Sequence, residues 1–410
     1  MIHSFTFKNF CSFAGDASIS FEVVRKDLET HNNMFCDTKS GARLSKVMLV
    51  VGPNASGKTS ALKALAFLCW FVRYSFVGLE GEKEKIPVDT FAFSEDKNRV
   101  SEFELIFEHD AIVYKYVLHL LPTHVVKEEL YRKEDTQHFN YLFKRSWNTQ
   151  TNSSDIITQR INLKTDVLKE ILRKNVSLVS ASVAIKDDTL TSLAGFWSKV
   201  VSNVNRTGKS WDTSSLGEQR LYEVTEKYKK DQNLFKKVEQ FLKDMDLGLD
   251  GVSIIEEGER HDIKTGEAKK VYSPFGVHKV KDKVYSLPFA FESSGTKNMF
   301  VLLHFLLPAI EQGGIAVIDE LEIDLHPHAL PQIIELFANH STNPNNSQLL
   351  FTSHSLEVLN HLEKEQVILV EKKDECKSEL YRLDDLKGIR RDDNIYAKYM
   401  AGAYGAVPNL

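Results

Sequence analysis

The sequence predicts an α/β fold with a mixed, mostly parallel sheet, an antiparallel β subdomain and an inserted helical lobe. Three observations carry this expectation. The apolar run Lys46–Val51 passes through a glycine loop into a long apolar stretch, Thr59–Phe76, which reads as strand, loop and helix. From about Gly295 onward, apolar strands alternate with helical patterns, the order that builds parallel sheets. Between these halves, Asp166 to Asp246 is rich in Lys, Glu, Leu and Phe at helical spacing.

At 410 residues the chain exceeds one ordinary globular domain, so one core carrying a lobe is expected. The expected boundaries are 1–150 for the first half of the core with its β subdomain, 151–250 for the lobe and 251–410 for the second half. Hydrophobic residues at 42% and charged residues at 27% are the balance of a soluble protein able to bury a core. A formal net charge of -5 excludes a global positive field that draws the chain to nucleic acid or anionic lipid, so any DNA contact is local. Cys11, Cys36, Cys69 and Cys376 form no CxxC pair, which points to reduced thiols in a cytoplasm. Met299–Ile310 is strongly apolar, but it contains His304 and Pro308 and is short for a membrane span, so no membrane partner is expected.

Taken in order, Ile2–Phe7 and Ala17–Val23 alternate as strands, and a polar loop with Asn32, Asn33, Ser40 and Gly41 precedes the buried strand. Ser101–Leu120 suggests two antiparallel strands turning at His109-Asp110. The helical region breaks near Asn203, Gly208 and Ser215, and it holds no heptad run long enough for a coiled coil. Mixed strands follow over Gly251–Phe289, then a helix from about Gly295, a strand at Gly314–Glu320, a helix after Pro327, and strands at Gln348–Ser353 and Gln366–Glu371.

Gly52-Pro53-Asn54-Ala55-Ser56-Gly57-Lys58-Thr59, followed by Ser60, matches G-x-x-x-x-G-K-[ST]. In that pattern the glycines let backbone N–H groups close around phosphate oxygens at a helix N-terminus. Lys58 then reaches the β- and γ-phosphates and Thr59 ligates Mg²⁺. By average residue frequencies the pattern arises by chance in a chain this long roughly once in a hundred times. The apolar strand ending in Asp319-Glu320 places one carboxylate to hold Mg²⁺ and the other to polarise an attacking water. His354 follows about 35 residues later, after the next strand, where an imidazole contacts a γ-phosphate. Ser293, Ser294, Gly295 and Thr296 open a helix as an anion-binding N-terminus does, although ordinary N-caps look the same.

Together these motifs resemble the ABC-type ATPase heads of the SMC, RecF and OLD kind, within the AAA group of small prokaryotic ATP-binding proteins. The resemblance covers most of the chain outside the helical region. Asn9-Phe10-Cys11-Ser12-Phe13 is similar to the N-terminal element that lies near the nucleotide, which adds Asn9 to the expected site. Asp319-Glu320 with Glu322-Ile323-Asp324-Leu325-His326-Pro327 is similar to the Walker B and D-loop run, Ser293–Thr296 to a degenerate signature and His354 to the switch histidine. The resemblance implies a Mg²⁺-dependent ATPase whose head-to-tail homodimer sandwiches two ATP molecules, with larger assemblies open. It also implies a sensor or scaffold that controls a separate effector, such as a nuclease, in antiphage defence. The alternative is a RecF-like repair ATPase that binds duplex DNA. Two departures stand out. No glutamine between Leu79 and Val100 supplies a Q-loop, so the link from nucleotide to the lobe is unassigned. Val370–Asp374 faintly resembles the first acidic motif of a TOPRIM nuclease, but the roughly 36 residues that follow are too few for that domain.

Overall fold

All five residues of the strand Val47–Val51 are fully buried, and the period of two sends Met48 and Val50 into one hydrophobic cluster and Val47, Leu49 and Val51 into another. In the computed structural model this strand lies within a six-stranded sheet. The spatial order is Val200–Ser202, Ile315–Ile318, Gln348–Thr352, Val47–Val51, Val367–Lys372 and Ser378–Arg382. Every pairing is parallel except the last. Five strands therefore finish at one edge, and Asn203, Asp319, Ser353, Gly52 and Lys372 sit at or just beyond those ends. Open α/β sheets bind ligands at that edge. The structure describes the chain apart from residues 24–32, 82, 97, 134–137, 162–164, 186–187, 206–207, 210–214, 246, 262–267, 323, 327 and 409–410. Asn32 of the expected polar loop, and Ile323 and Pro327 of the acidic run, thus lie outside the described residues.

A seven-stranded antiparallel sheet covers one face of the core. It runs from Ser153–Thr158 through Phe139–Asn148, His124–Lys133, Ile112–Leu121, Ser101–His109 and Ile2–Phe10 to Phe13–Ser20. The helix Lys58–Gly78 packs in the same cluster, with Phe67 lying 5.7 Å from the ring of Phe10 and 5.4 Å from that of Phe103. That helix is long and apolar enough to cross a membrane by composition, yet its Leu62, Leu65, Leu68 and Phe71 are fully buried in the core. Burying each such side chain contributes about 1.5–3 kcal/mol, which accounts for the composition without a bilayer.

The middle of the chain departs from the expected single lobe at 151–250. Ser153–Thr158 completes the antiparallel sheet, and Val200–Ser202 pairs with Ile315–Ile318 inside the core sheet. The helices Leu178–Ile185 and Asp188–Ser198 pack on Lys58–Gly78, whereas Ser215–Lys230 and Gln232–Asp244 pack on the far side, against the helix Ser294–Gln312. The two halves of this segment therefore belong to opposite faces of the molecule. A strand of three residues is too short to show alternation, which is why it was not legible. Gly251–His261, Ala268–Val280 and Lys283–Pro288 form a separate three-stranded antiparallel sheet beside the start of Ser294–Gln312.

Glu128 and Arg145 form an ion pair with no exposed side-chain surface, at 3.2 Å. Burial of two charges is tolerated only where the remaining donors and acceptors are met. Here Arg145 also donates to the carbonyls of Val176 at 2.6 Å and Arg173 at 3.1 Å, while Glu128 accepts from Tyr116, Ser177 and the Leu178 N–H. The pair fastens the start of Leu178–Ile185 to the antiparallel sheet, with the carboxylate at the positive end of the helix.

His304, on the helix Ser294–Gln312, accepts a hydrogen bond from Lys227 at 3.1 Å and is held down to a pKa of about 4 by burial, with Lys227 and Arg220 adding to the effect. The unfolded chain takes up this proton near the ordinary value of 6.5 and the folded chain does not until about 4. Stability from this group is thus complete above pH 6.5 and is lost as pH falls toward 4. His304→Phe is expected to flatten the decline of the thermal midpoint across that window, as measured by melts of both proteins between pH 4 and 7. An identical pH dependence in the two proteins contradicts it.

Candidate functional site

The glycine loop is held open by conformations that side chains resist. Gly57 sits at φ 118, and a Cβ there would lie 2.6 Å from Ser378 Oγ and 2.9 Å from Ser12 Oγ. A Cβ on Gly52 would run into the carbonyl oxygen of Val370. Lys58, the first helical residue, folds back over the loop and donates to the carbonyls of Gly52 at 2.9 Å and Pro53 at 3.0 Å. Burial lowers its pKa, and the nearby carboxylates of Asp319, Glu320 and Glu322 oppose that shift. The far side of the loop is strapped by the last two strands of the core sheet: Ser378 Oγ donates to Ser56 O at 2.5 Å and Lys372 Nζ to Ala55 O at 3.2 Å.

Asp319 is buried at the end of Ile315–Ile318. Its Oδ2 accepts from Thr59 Oγ1 at 2.8 Å and its Oδ1 from Thr352 Oγ1 at 2.7 Å. The same Thr352 hydroxyl accepts the Glu320 N–H at 2.7 Å. Asn203 grips the backbone of Asp319 twice, donating to its carbonyl at 2.9 Å and accepting its N–H at 2.7 Å. Glu320 adopts φ 51, in the left-handed region, and its Oε1 lies 3.4 Å from His354 Nε2. The His354 N–H in turn donates to Glu322 Oε1.

These groups surround a cleft of about 540 Å³. Of the residues expected from the sequence, Asn54, Gly57, Lys58, Thr59, Ser60, Asp319, Glu320 and His354 all line it. Gly52 and Ser56 shape the loop without lining the cleft, Ser56 being buried behind it. Asn9 is a correction. It is fully buried, donates to Arg99 O at 2.8 Å and accepts the Phe91 N–H at 3.2 Å, so its side chain serves the fold. Ser12, from the same element, reaches the cleft instead. Ser293, Gly295 and Thr296 are also absent from the lining: Ser293 caps Ser294–Gln312 by accepting the Thr296 N–H at 3.1 Å. Asn203, Thr352, Lys372 and Ser378 are additions to the expected set of site residues. Thr352 stands two residues before His354, at the end of the strand Gln348–Thr352, and that position is its one local signal.

This arrangement suits a polyphosphate. It offers a loop of backbone donors at a helix start, a lysine, a hydroxyl and carboxylate that meet, and a second carboxylate beside an imidazole. Residues 47–360 match the family model described as "AAA domain, putative AbiEii toxin, Type IV TA system". No curated protein matches. Among solved structures, the Smc head bound to the C-winged helix domain of ScpA is similar at a TM-score of 0.43 and 14% sequence identity, covering 93% of this chain and 96% of that one. With the family match spanning most of its length and the loop, acidic strand and histidine converging on one cleft, the chain belongs to this AAA-domain family and has a mixed α/β fold.

Proposed function

We propose that this protein binds ATP in the Gly52–Thr59 cleft, hydrolyses it, and uses the cycle to control a separate effector. The observation that carries the reading is the joining of Thr59 and Asp319 at 2.8 Å, with Glu320 and His354 on the same cleft. A hydroxyl and a carboxylate that meet beside a phosphate loop are the donor set of a Mg²⁺ site completed by phosphate oxygens, so these residues fit the ion. Bound Mg²⁺ supplies charge neutralisation on those oxygens. The chain's own groups do the rest: loop N–H groups and Lys58 hold the phosphates, Glu320 accepts a proton from the attacking water, and His354 orients that water against the γ-phosphate. Ser293–Thr296 stands outside the cleft of its own chain, which supports a head-to-tail dimer in which the helix N-terminus of a second copy closes the phosphate cage.

The resemblance to antiphage defence ATPases supports an effector such as a nuclease, and a cytoplasmic setting. Purified protein is expected to turn over ATP with Mg²⁺ and to stop when the metal is chelated, read by phosphate release. Failure to bind ATP at all sinks the reading. One observation favours duplex DNA as a partner instead: Lys279, Lys281 and Lys283 project from an exposed hairpin tip together with Val280, Val284 and Tyr285. The basic run Lys227–Lys230 is engaged by its neighbours instead: Lys227 faces His304, Lys229 stands over Tyr272 and Lys230 pairs with Glu226. Salt-sensitive DNA binding, lost on replacing the three tip lysines by Glu, would select that reading.

A further inference from the structure

We infer that Asn203 is a positioning residue for the Asp319-Glu320 pair, and that it connects the middle of the chain to the nucleotide cleft. The inference rests on the ATPase reading above. The parallel ladder between Val200–Ser202 and Ile315–Ile318 ends with Ser202 opposite Val317, and the Asn203 N–H adds a bond to Val317 O at 3.3 Å. Past that point the side chain replaces the backbone. Its amide meets both the N–H and the carbonyl of Asp319 and so extends the ladder up to the acidic pair.

The opposite flank is held by Thr352, through Asp319 Oδ1 and the Glu320 N–H. Asn203 and Thr352 are both fully buried, so the Asp319-Glu320 unit is clamped between two side chains that water does not reach. The clamp has a task. Glu320 holds φ 51, a left-handed conformation that is strained for an L-residue and relaxes unless its surroundings fix it. That turn aims the carboxylate toward His354.

Asn203 also has a mechanical neighbour. Four residues before it, Lys199 accepts the Ile315 N–H at 3.0 Å, and the helix Asp188–Ser198 ends there. Phe196 of that helix stacks on Phe107 of the antiparallel sheet at 4.2 Å, and Trp197 meets the same ring edge-on at 5.4 Å. A shift of this helix is therefore passed to Asn203 and on to the backbone of the acidic pair. This supplies a link between the central segment and the cleft in a chain with no glutamine between Leu79 and Val100.

The test compares wild type with Asn203→Ala and the milder Asn203→Ser by ATP turnover and by hydrogen exchange of the Asp319 amide without nucleotide. A loss of kcat on the order of 10²-fold in Asn203→Ala is expected, with KM for ATP within about threefold of wild type. Asn203→Ser should fall between the two, and exchange at Asp319 should quicken in both. A folded variant with unchanged kcat overturns the proposal, as does loss of kcat that only tracks loss of folded protein in melts. If Asn203→Ala does not fold, Asn203→Ser decides by the same criteria. If wild type binds no ATP, the functional reading fails by itself; unchanged Asp319 exchange in the variants then overturns the positioning role separately, and faster exchange upholds it.

Discussion

Glu320→Gln is expected to lower ATP turnover on the order of 10³-fold, the span that a positioned general base supplies, while ATP binding persists. The substitution keeps the shape of the side chain and the backbone bond to Thr352, so the left-handed turn at φ 51 is preserved. What it removes is the capacity to take a proton. The 3.4 Å contact with His354 Nε2 survives, because an amide oxygen also accepts there. Protein that loads ATP and cannot discharge it should accumulate as a closed dimer. Phosphate release and light scattering with ATP and Mg²⁺ measure both effects together. A variant that turns over within threefold of wild type removes Glu320 from the reaction, and one that stays monomeric with ATP bound removes the sandwich.

Gly57→Ala is expected to be nearly as damaging by another route. A methyl group there would meet Ser378 Oγ at 2.6 Å and Ser12 Oγ at 2.9 Å, on a backbone at φ 118 that L-residues rarely adopt. Ser378 is held in turn by bonds to Ser56 O and Ser12 O, so it has no room to retreat. The loss of stability should be about 2–4 kcal/mol by urea unfolding, with ATP affinity reduced more than tenfold. Gly41→Ala is the control. Gly41 is at φ 88 with open space around its would-be Cβ, so only backbone strain of about 1–2 kcal/mol applies and ATP affinity should not change. Equal effects at both positions would show that strain alone, and not the strap at Ser378, limits the loop.

What the sequence discloses depends on how local the cause is. The phosphate loop is visible because its glycines, lysine and threonine act on their own backbone, and Val47–Val51 because a strand buried on both faces is apolar throughout. Asp319-Glu320 and His354 are visible as polar residues that break apolar strands. Asn203 is different. It reads as one more polar residue at a helix break, and its importance comes from Asp319, 116 positions away. Asn9 fails in the reverse direction: its segment resembles an element that lies near nucleotide, but its side chain is consumed by Arg99 and Phe91, and Ser12 lines the cleft instead. The helical spacing across the middle does not disclose its division between two faces of the core, because nothing in a helix's own period says which neighbour its apolar stripe will meet.

The strap across the phosphate loop also bears on how the protein is made. Ser378 reaches Ser56 across 322 positions, and the strands on either side of Val47–Val51 come from the last quarter of the described chain. A ribosome that has just released the loop must work for roughly tens of seconds more, at about 5–20 residues per second, before those partners emerge. Until then Val47–Val51 has neither of its strand neighbours, and the helix Lys58–Gly78 can be covered only by the antiparallel sheet. The loop can therefore take its strapped form, and hold nucleotide in it, only after residues as far as Ser378 have been made.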